Sequence, residues 1–380
     1  MKEQRPNTAE ESLLQAILAD DTLVIEAWRS WQEQVPFDSI DHGTRRMLPL
    51  LHDKLKRLGV DDPILAKYEG LKKLYWFQNR LLMHHLAKVL NELAKSNIPA
   101  MLIKGSALNA LGLFSPGLRP MTDIDLVVPA ERALEAASLV GKIGWKPDSG
   151  QGRDYNESDV RFTHHGKFMK HPELVLKLHW ESASQFMRGR LSDTLWKNTH
   201  KIEWEGQPCC ALSPTDHLLF VLAHGRSHNE ISPLRWVNDA LGILQQQVID
   251  WEYFAQQAQA HHLAFAIRDM VSYLKENHHS NIPASTIGSL FASERNRFEE
   301  RVWTVKQSPD INVGFRSALN LHIFKLRGFS GGKITPATLS SYLCYMIALR
   351  RNGRGFSGLF SNILKRVKAS CRTRSKLTAN

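Results

Sequence analysis

The apolar positions of this chain recur at helical spacing over most of its length. Near the N-terminus they predict a helical stretch from Ser12 to Trp31, broken or capped at Asp20-Asp21-Thr22. A second pattern predicts a helix from His42 to Leu58 that ends at Gly59. The strongest apolar stripe predicts a long helix from Leu71 to Ser96. The two N-terminal segments are typical of packing helices and show no pattern of a chemical site.

Strand-like patterns begin after the long helix. The apolar run from Ala100 to Ile103 predicts a buried strand that leads through a turn at Gly105-Ser106 into a helix. A second short strand follows, and Asp123 and Asp125 share one of its faces because side chains alternate across a strand. A helix from Glu131 to Ile143 comes next. This order of elements predicts a small α/β unit.

A third strand is predicted from Leu174 to Trp180, where apolar residues alternate with Val175, Lys177 and His179. Its polar face is expected to turn towards the two acids if this strand lies beside theirs. The polar stretch from Gln151 to Lys170 favours a loop or a hairpin, with a strand at 161–164.

The second half of the chain is mostly helical in pattern. A strand at Lys201 to Trp204 precedes a helix whose N-cap is Ser213, with Pro214 at its first position. Asp250-Trp251 begins another helix, which runs to Ala260. Further helices are expected at 298–305, 315–326, 339–349 and 359–367. The predicted division is an N-terminal helical region (1–70), an α/β core (71–206), a helical domain (207–300) and a helical C-terminal region with a basic tail (301–380).

Composition narrows the class of protein. The chain has 380 residues, of which 43% are hydrophobic and 23% charged, as in ordinary globular proteins. The N-terminal residues lack the apolar stretch of a secretory signal, and no apolar run is long enough for a transmembrane helix. The cysteines show no metal-ligand spacing and predict reduced thiols in a cytoplasmic protein; they are Cys209, Cys210, Cys344 and Cys371.

The charge is positive and partly local. The formal net charge is +11, and the segment from Arg350 to the C-terminus contains no acidic residue. Such a segment is typical of a mobile basic tail, and it also permits binding to nucleic acid. The amphipathic basic stretch at 359–367 suits an anionic membrane or nucleic acid, or equally a cap on the helical domain.

The two acids on one strand face carry the candidate chemistry. Carboxylates that share a face repel each other, so placing Asp123 beside Asp125 gains little unless a cation lies between them. Mg²⁺ suits this position because it takes one or two carboxylates together with substrate phosphates. The sequence therefore favours a phosphoryl- or nucleotidyl-transfer site. The alternative is a solvated Asp-x-Asp pair without a catalytic role.

The residues around the small-residue turn are candidate phosphate ligands. Gly105 allows the backbone to approach a ligand, and Lys104 and Ser106 flank it. The alternative is a plain turn between strand and helix. Arg119, four residues before Asp123, is suited to bind a phosphate, to orient a carboxylate with both arms, or simply to neutralise the acids.

These motifs resemble a known family. Two sequence segments carry the resemblance: Lys104-Gly105-Ser106-Ala107, and residues 118–129, which include Asp123-Ile124-Asp125. They resemble the bacterial uncharacterised nucleotidyltransferases of the DNA polymerase β-like superfamily. The resemblance runs from about residue 48 to 285. It implies a mixed α/β polymerase-β-like core between mainly α-helical N-terminal and C-terminal domains.

The resemblance also implies a function. It implies a transferase that moves an NMP group from an NTP to an acceptor hydroxyl on a small molecule, a sugar, a protein or RNA. Asp123 and Asp125 would hold Mg²⁺ (or Mn²⁺), and the nucleotide would be bound by Lys104, Gly105, Ser106, Arg119 and Lys177.

Lys177 departs from the family pattern. The superfamily draws a third metal-binding carboxylate from the strand at 174–180, where this chain has a lysine, and an ammonium group cannot ligate a metal. Three outcomes stay open. Glu173 or Glu181 substitutes for the missing acid, or Lys177 binds phosphate and leaves one metal. In the third, the site is degraded and the protein is a nucleotide- or protein-binding module.

Two further groups are of interest in the helical domain. His217, His224 and His228 fall on one helix face, and the last two have i, i+4 spacing; packing is favoured over metal binding. Arg235 and Asp239 are expected to form a buried ion pair that braces the helices against the core, or to recognise the acceptor.

Overall fold

The architecture was obtained as a computed structural model. Between residues 294 and 332 it describes only scattered positions, and its continuous described ranges are 5–149, 153–170, 173–181, 195–226, 234–293 and 333–351. The basic segment beyond Arg351 therefore lies outside the described residues, as does the helix predicted at 359–367. The helices predicted at 298–305 and 315–326 lie mostly outside them.

Five helices precede the first strand. They are α1 (Thr8–Leu18), α2 (Asp21–Gln34), α3 (His42–Arg45), α4 (Leu48–Arg57) and α5 (Ile64–Lys95). The predicted break at Asp20-Asp21-Thr22 is confirmed, since one helix ends at Leu18 and the next begins at Asp21. The stretch from His42 to Leu58 is two helices and not one. Helix α5 begins seven residues earlier than predicted, which gives it 32 residues.

A mixed seven-stranded sheet forms the centre of the described chain. Its strands are β1 (Met101–Leu102), β2 (Ile124–Val127), β3 (Lys146–Pro147), β4 (His165–Lys170), β5 (Leu174–His179), β6 (His200–Trp204) and β7 (Gln207–Ala211). Their order across the sheet is β3-β4-β5-β2-β1-β7-β6. Helix α6 (Lys104–Ala110) follows β1, and α7 (Ala133–Lys142) follows β2. Gly105 and Ser106 therefore lie in the first turn of α6, and the turn predicted there between strand and helix is wrong. The predicted mixed α/β fold class is confirmed.

The strand with the acids lies beside the strand that carries Lys177. Strands β2 and β5 are parallel, and Asp125 is the register partner of Lys177. On the opposite face, Ile124 and Leu126 of β2 are fully buried in the same core as Leu176 of β5. The polar face of β5 therefore turns towards the acids, as the alternation predicts.

The prediction for residues 151–170 is wrong in part. A strand was expected at 161–164, but a short helix, α8 (Glu157–Phe162), lies there. Asn156 caps this helix: its side chain accepts from the Asp159 N–H, and the Asp159 carboxylate accepts from the Asn156 N–H. This reciprocal cap outweighs the strand propensity of the short 161–164 stretch. Strand β4 follows the helix, and neither it nor β7 was predicted.

The second half is helical, as predicted. Its helices are α9 (Pro214–Gly225), α10 (Leu234–Gln246), α11 (Trp251–Ala260), α12 (Ala264–His278), α13 (Ala284–Ala292) and α14 (Pro336–Arg351). Ser213 caps α9 by accepting from the Asp216 N–H, which confirms the predicted start. One hydrophobic core joins α9–α13 to α1, α2 and α4, and a second lies between the sheet, α5 and α7. Helix α14 packs instead against Phe162 of α8. The four-part domain division stays a prediction.

No helix in the described ranges combines the length and the apolar character that a bilayer crossing requires.

The contact between α9 and α10 depends on a glycine. A Cβ on Gly225 would lie 2.5 Å from the Trp236 Cβ. We therefore expect Gly225→Ala to lower the free energy of unfolding by about 1–3 kcal/mol through overpacking. Gly288→Ala in α13 is the matched control, because a Cβ there meets nothing within 4 Å; it should be neutral or stabilise by up to about 1 kcal/mol. Urea unfolding of both variants decides, and equal stabilities would contradict this packing.

Candidate functional site

The two acids lie at the start of the central strand β2. Asp123 directly precedes the strand, and Asp125 is its second residue. The Asp125 side chain is almost fully buried, whereas that of Asp123 is 14% exposed. Ser106 is also fully buried, and its hydroxyl oxygen accepts a hydrogen bond from the Asp125 N–H at 2.9 Å. Ser106 therefore joins the start of helix α6 to the acid-bearing strand.

Each carboxylate is paired with a lysine. Lys177 Nζ lies 2.5 Å from Asp123 Oδ2. Lys104 Nζ donates to Asp125 Oδ1 at 2.9 Å, and His179 Nε2 lies 2.9 Å from the same oxygen. Because an ionised carboxylate only accepts, the proton of this imidazole is assigned to Nε2. The four charged side chains form two ion pairs with no net charge.

Lys104 is held in an unusual backbone conformation. Its φ is +51°, in the left-handed region that residues other than glycine rarely adopt. Such a conformation costs about 1–2 kcal/mol and persists where the surroundings impose it. In this chain it accompanies the ion pair of Lys104 with Asp125.

The pKa values follow from burial and from these pairs. Burial alone would raise the pKa of Asp125, but Lys104 and the His179 hydrogen bond hold it well below its usual range. Burial opposes the charge of Lys177, yet the two aspartates raise its pKa. Burial lowers the pKa of His179 despite the Asp125 carboxylate. Asp125 and Lys177 are therefore charged at neutral pH, and the His179 imidazole is neutral.

This donor set does not fit a divalent cation. Mg²⁺ requires oxygen ligands, and here one oxygen of each carboxylate already pairs with an ammonium group. The position expected to supply a third acid holds Lys177. Within the described ranges no three acidic, histidine or cysteine side chains are grouped so as to hold a metal, and Glu173 and Glu181 are part of those ranges.

Arg119 pairs with an acid from the helical domain and not with Asp123 or Asp125. Its Nε and Nη2 donate to the two oxygens of Asp239 in α10 at 3.0 and 2.7 Å. Both residues are buried, at 4% and 5% exposure. A Cβ on Gly105 would overlap with Arg119 Nη1. Gly105 is therefore required so that the guanidinium group of Arg119 can lie against the turn.

Two other helices hold the loop that carries Arg119, the α6–β2 loop (residues 111–123). Asn79 of α5 donates to the Arg119 carbonyl and accepts from the Met121 N–H, both at 2.8 Å. Arg46, at the end of α3, donates to the Pro120 carbonyl at 3.3 Å. The sequence indicated no chemistry for Arg46, because its partners lie more than 70 residues away along the chain.

Arg235 lies at the outer edge of the same cluster. Its Nε is 4.0 Å from Asp239 Oδ2, and its side chain is 25% exposed. The predicted buried ion pair of Asp239 is thus present, but its main partner is Arg119. Burial, together with the neighbouring charges of Arg119 and Arg46, lowers the pKa of Arg235 to about 10, although Asp239 opposes them.

Several histidines lie close to the acids. His165, on β4, is the register partner of His179, and their rings are 4.9 Å apart. On α9, burial lowers the pKa of His217 to about 4 and that of His224 to about 3. Both are therefore neutral at pH 7, as packing histidines are. His228, the third member of the predicted face, lies outside the described residues.

Ser106 joins the first turn of α6, which contains Gly105, to the acid-bearing strand. The resemblance to nucleotidyltransferases depends on these two features. The sequence model of the family described as uncharacterised nucleotidyltransferase matches residues 43–277, more than half of the chain. The chain belongs to this family, and the resemblance is confirmed.

Comparisons with other proteins add less. The solution structure of the antibiotic-resistance factor ANT(2″)-Ia is 17% identical with a TM-score of 0.33, over 52% of this chain and 96% of that one. A crystal structure of an antigenic nucleotidyltransferase-like protein from Paracoccidioides brasiliensis is 17% identical with a TM-score of 0.39, over 54% and 95%. Both scores are low, so the fold assignment does not rest on them. Curated protein sequences gave no match.

The buried pair of Arg119 and Asp239 should dominate stability. Asp239→Asn leaves a buried guanidinium without its counter-charge and is expected to lower the free energy of unfolding by about 3–5 kcal/mol. Lys95→Gln, which removes the exposed pair with Glu92, should cost about 0.5 kcal/mol or less. Denaturant unfolding at pH 7 measures both, and similar losses for the two variants would contradict a dominant role of the buried pair.

The same variant has an expected pH dependence. Burial would raise the pKa of Asp239, but Arg119 lowers it below its ordinary value. A carboxyl whose pKa is lower in the folded state stabilises the fold above its unfolded pKa of about 3.9, and this contribution is lost as the pH falls through the folded pKa. The stability gap between wild type and Asp239→Asn should therefore be constant from about pH 5 to 8 and shrink below about pH 4. A gap that widens in acid would contradict the ion pair.

Proposed function

We propose that this member of the nucleotidyltransferase family binds a nucleoside triphosphate without a divalent cation, with lysine ammonium groups in place of the metal. The observation that supports it is the pairing of Lys177 with Asp123 and of Lys104 with Asp125. A cation is required beside these two carboxylates, and here the chain itself supplies it.

The two lysines are suited to bind phosphate as well. An ammonium group has three donors, and each lysine uses one on its aspartate, which leaves two for phosphate oxygens. The Lys177 side chain is 31% exposed and that of Lys104 is 15% exposed, so Lys177 is the more accessible to a ligand. The buried Asp125 and its partner His179 hold Lys104 in place.

Nucleotidyl transfer with Mg²⁺ (or Mn²⁺) on Asp123 and Asp125, which the resemblance implies, is the competing function. It requires both ammonium groups to leave the carboxylates. It therefore predicts that NTP binding needs the metal and is lost in Asp125→Asn. The acceptor is not specified by any residue discussed so far.

Calorimetric titration of each NTP, with Mg²⁺ or with EDTA, separates the two functions. We expect wild type to bind an NTP in EDTA. Lys177→Gln should weaken this binding about 10- to 100-fold, because it removes a charge-assisted contact. Lys73→Gln is the matched control, since Lys73 forms an exposed pair with Glu69 on α5.

A charge reversal at the same position sharpens the experiment. Lys177→Glu places three carboxylates together, a set that suits a divalent cation. This variant should not bind NTP in EDTA and should gain Mg²⁺-dependent binding. If wild type binds NTP only with Mg²⁺, or binds none, the proposal is wrong.

A further inference from the structure

A second cationic cluster lies beside the two lysine–aspartate pairs. The three arginines are Arg46 at the end of α3, Arg119 in the α6–β2 loop and Arg235 in α10. The charge of Arg119 lowers the pKa of both Arg46 and Arg235, so the three guanidinium groups are close. We call these three residues the arginine cluster. They are distant in sequence, and the fold brings them together around Asp239.

The arginine cluster carries more positive than negative charge. Asp239 is the carboxylate that it surrounds, and the other nearby acid, Asp123, is already paired with Lys177. Three guanidinium groups around one carboxylate leave an excess of two positive charges. Like charges at close range repel, so this arrangement is unfavourable until an anion binds.

Two of the guanidinium groups have buried nitrogens with nothing to donate to. Among the described residues, neither Arg46 Nη1 nor Arg119 Nη1 has a hydrogen-bond partner. Arg46 is 5% exposed and Arg119 is 4% exposed, so neither side chain is well placed to be solvated. A buried donor without a partner requires an explanation, and an anion bound between these two nitrogens would satisfy both.

The third guanidinium group provides access. Arg235 is one-quarter exposed, and it lies close enough to Lys177 to affect that residue's pKa. The arginine cluster therefore reaches the surface next to the proposed nucleotide site. A ligand that enters there meets Arg235 first and the buried donors behind it.

We propose that the arginine cluster binds a phosphate group of a second ligand, the acceptor substrate. A phosphate monoester carries a charge of about −1.5 to −2 at pH 7, which balances the excess of the cluster. Guanidinium groups bind such oxyanions with two parallel hydrogen bonds. That the ligand is an acceptor rests on the proposed NTP site, whereas the phosphate site itself does not.

Inorganic phosphate is the probe, titrated calorimetrically into the full chain at constant ionic strength set with sodium chloride. We expect binding by wild type that Arg235→Gln weakens about tenfold or more. Arg235→Lys keeps the positive charge but loses the planar guanidinium group. Its phosphate affinity should lie between those of wild type and Arg235→Gln. Arg57→Gln is the control, because Arg57 is an exposed arginine on α4. Urea unfolding of each variant shows that the fold persists.

The variants and a competition test separate this site from the nucleotide site. Lys177→Gln also frees the charge of Asp123 beside the cluster, so it should weaken phosphate binding, but less than Arg235→Gln does, whether or not any NTP binds. Where an NTP binds, phosphate should still bind at saturating NTP. Two results overturn the proposal. The first is that Arg235→Gln and Arg46→Gln both bind phosphate as tightly as wild type. The second is that NTP displaces phosphate one for one, which would assign the arginine cluster to the nucleotide.

Discussion

The buried ion pair between Arg119 and Asp239 is the interaction on which the site depends. It joins the α6–β2 loop to helix α10 with two hydrogen bonds in a place that water does not reach. The loop ends at Asp123, so the position of the acids follows from it. Gly105 is explained by the same pair, because any side chain there would collide with the guanidinium group. The sequence pattern links Gly105 with phosphate binding, but close packing against Arg119 is enough to require a glycine there.

The acids illustrate a second constraint, the need to compensate buried charge. Asp125 is almost fully buried, and a buried carboxylate is tolerated only when it is paired and hydrogen-bonded. Lys104 and His179 meet this requirement at one carboxylate, and Lys177 meets it at the other. The protein thus neutralises with its own side chains a pair of charges that otherwise calls for a metal ion. Lys177 on β5, where the resemblance implies an acid, thus connects the neutralisation of the two acids with the proposed metal-free binding of nucleotide.

Local patterns predicted much of the fold and part of the site. The helix starts at Asp21 and Pro214, the strand of Asp125 and the polar face of the Lys177 strand follow from spacing, capping and alternation. That these two strands lie side by side is known only from the structure. The helix α8 was missed because its reciprocal cap involves the short polar segment 156–159, which reads as a loop. The partner of Arg119 and the role of Arg46 were beyond sequence reasoning, since Asp239 is 120 residues away from Arg119 and tertiary packing alone selects it.

The central claim is that lysines, and not a metal ion, neutralise Asp123 and Asp125 when nucleotide is bound. A crystal structure of the chain with ATP and Mn²⁺, with anomalous scattering recorded for manganese, tests it most directly. The account predicts phosphate oxygens within hydrogen-bond distance of Lys104 and Lys177, both lysines still on their aspartates, and no anomalous peak between the carboxylates. A manganese peak bridging Asp123 and Asp125, with the lysines displaced, would contradict it.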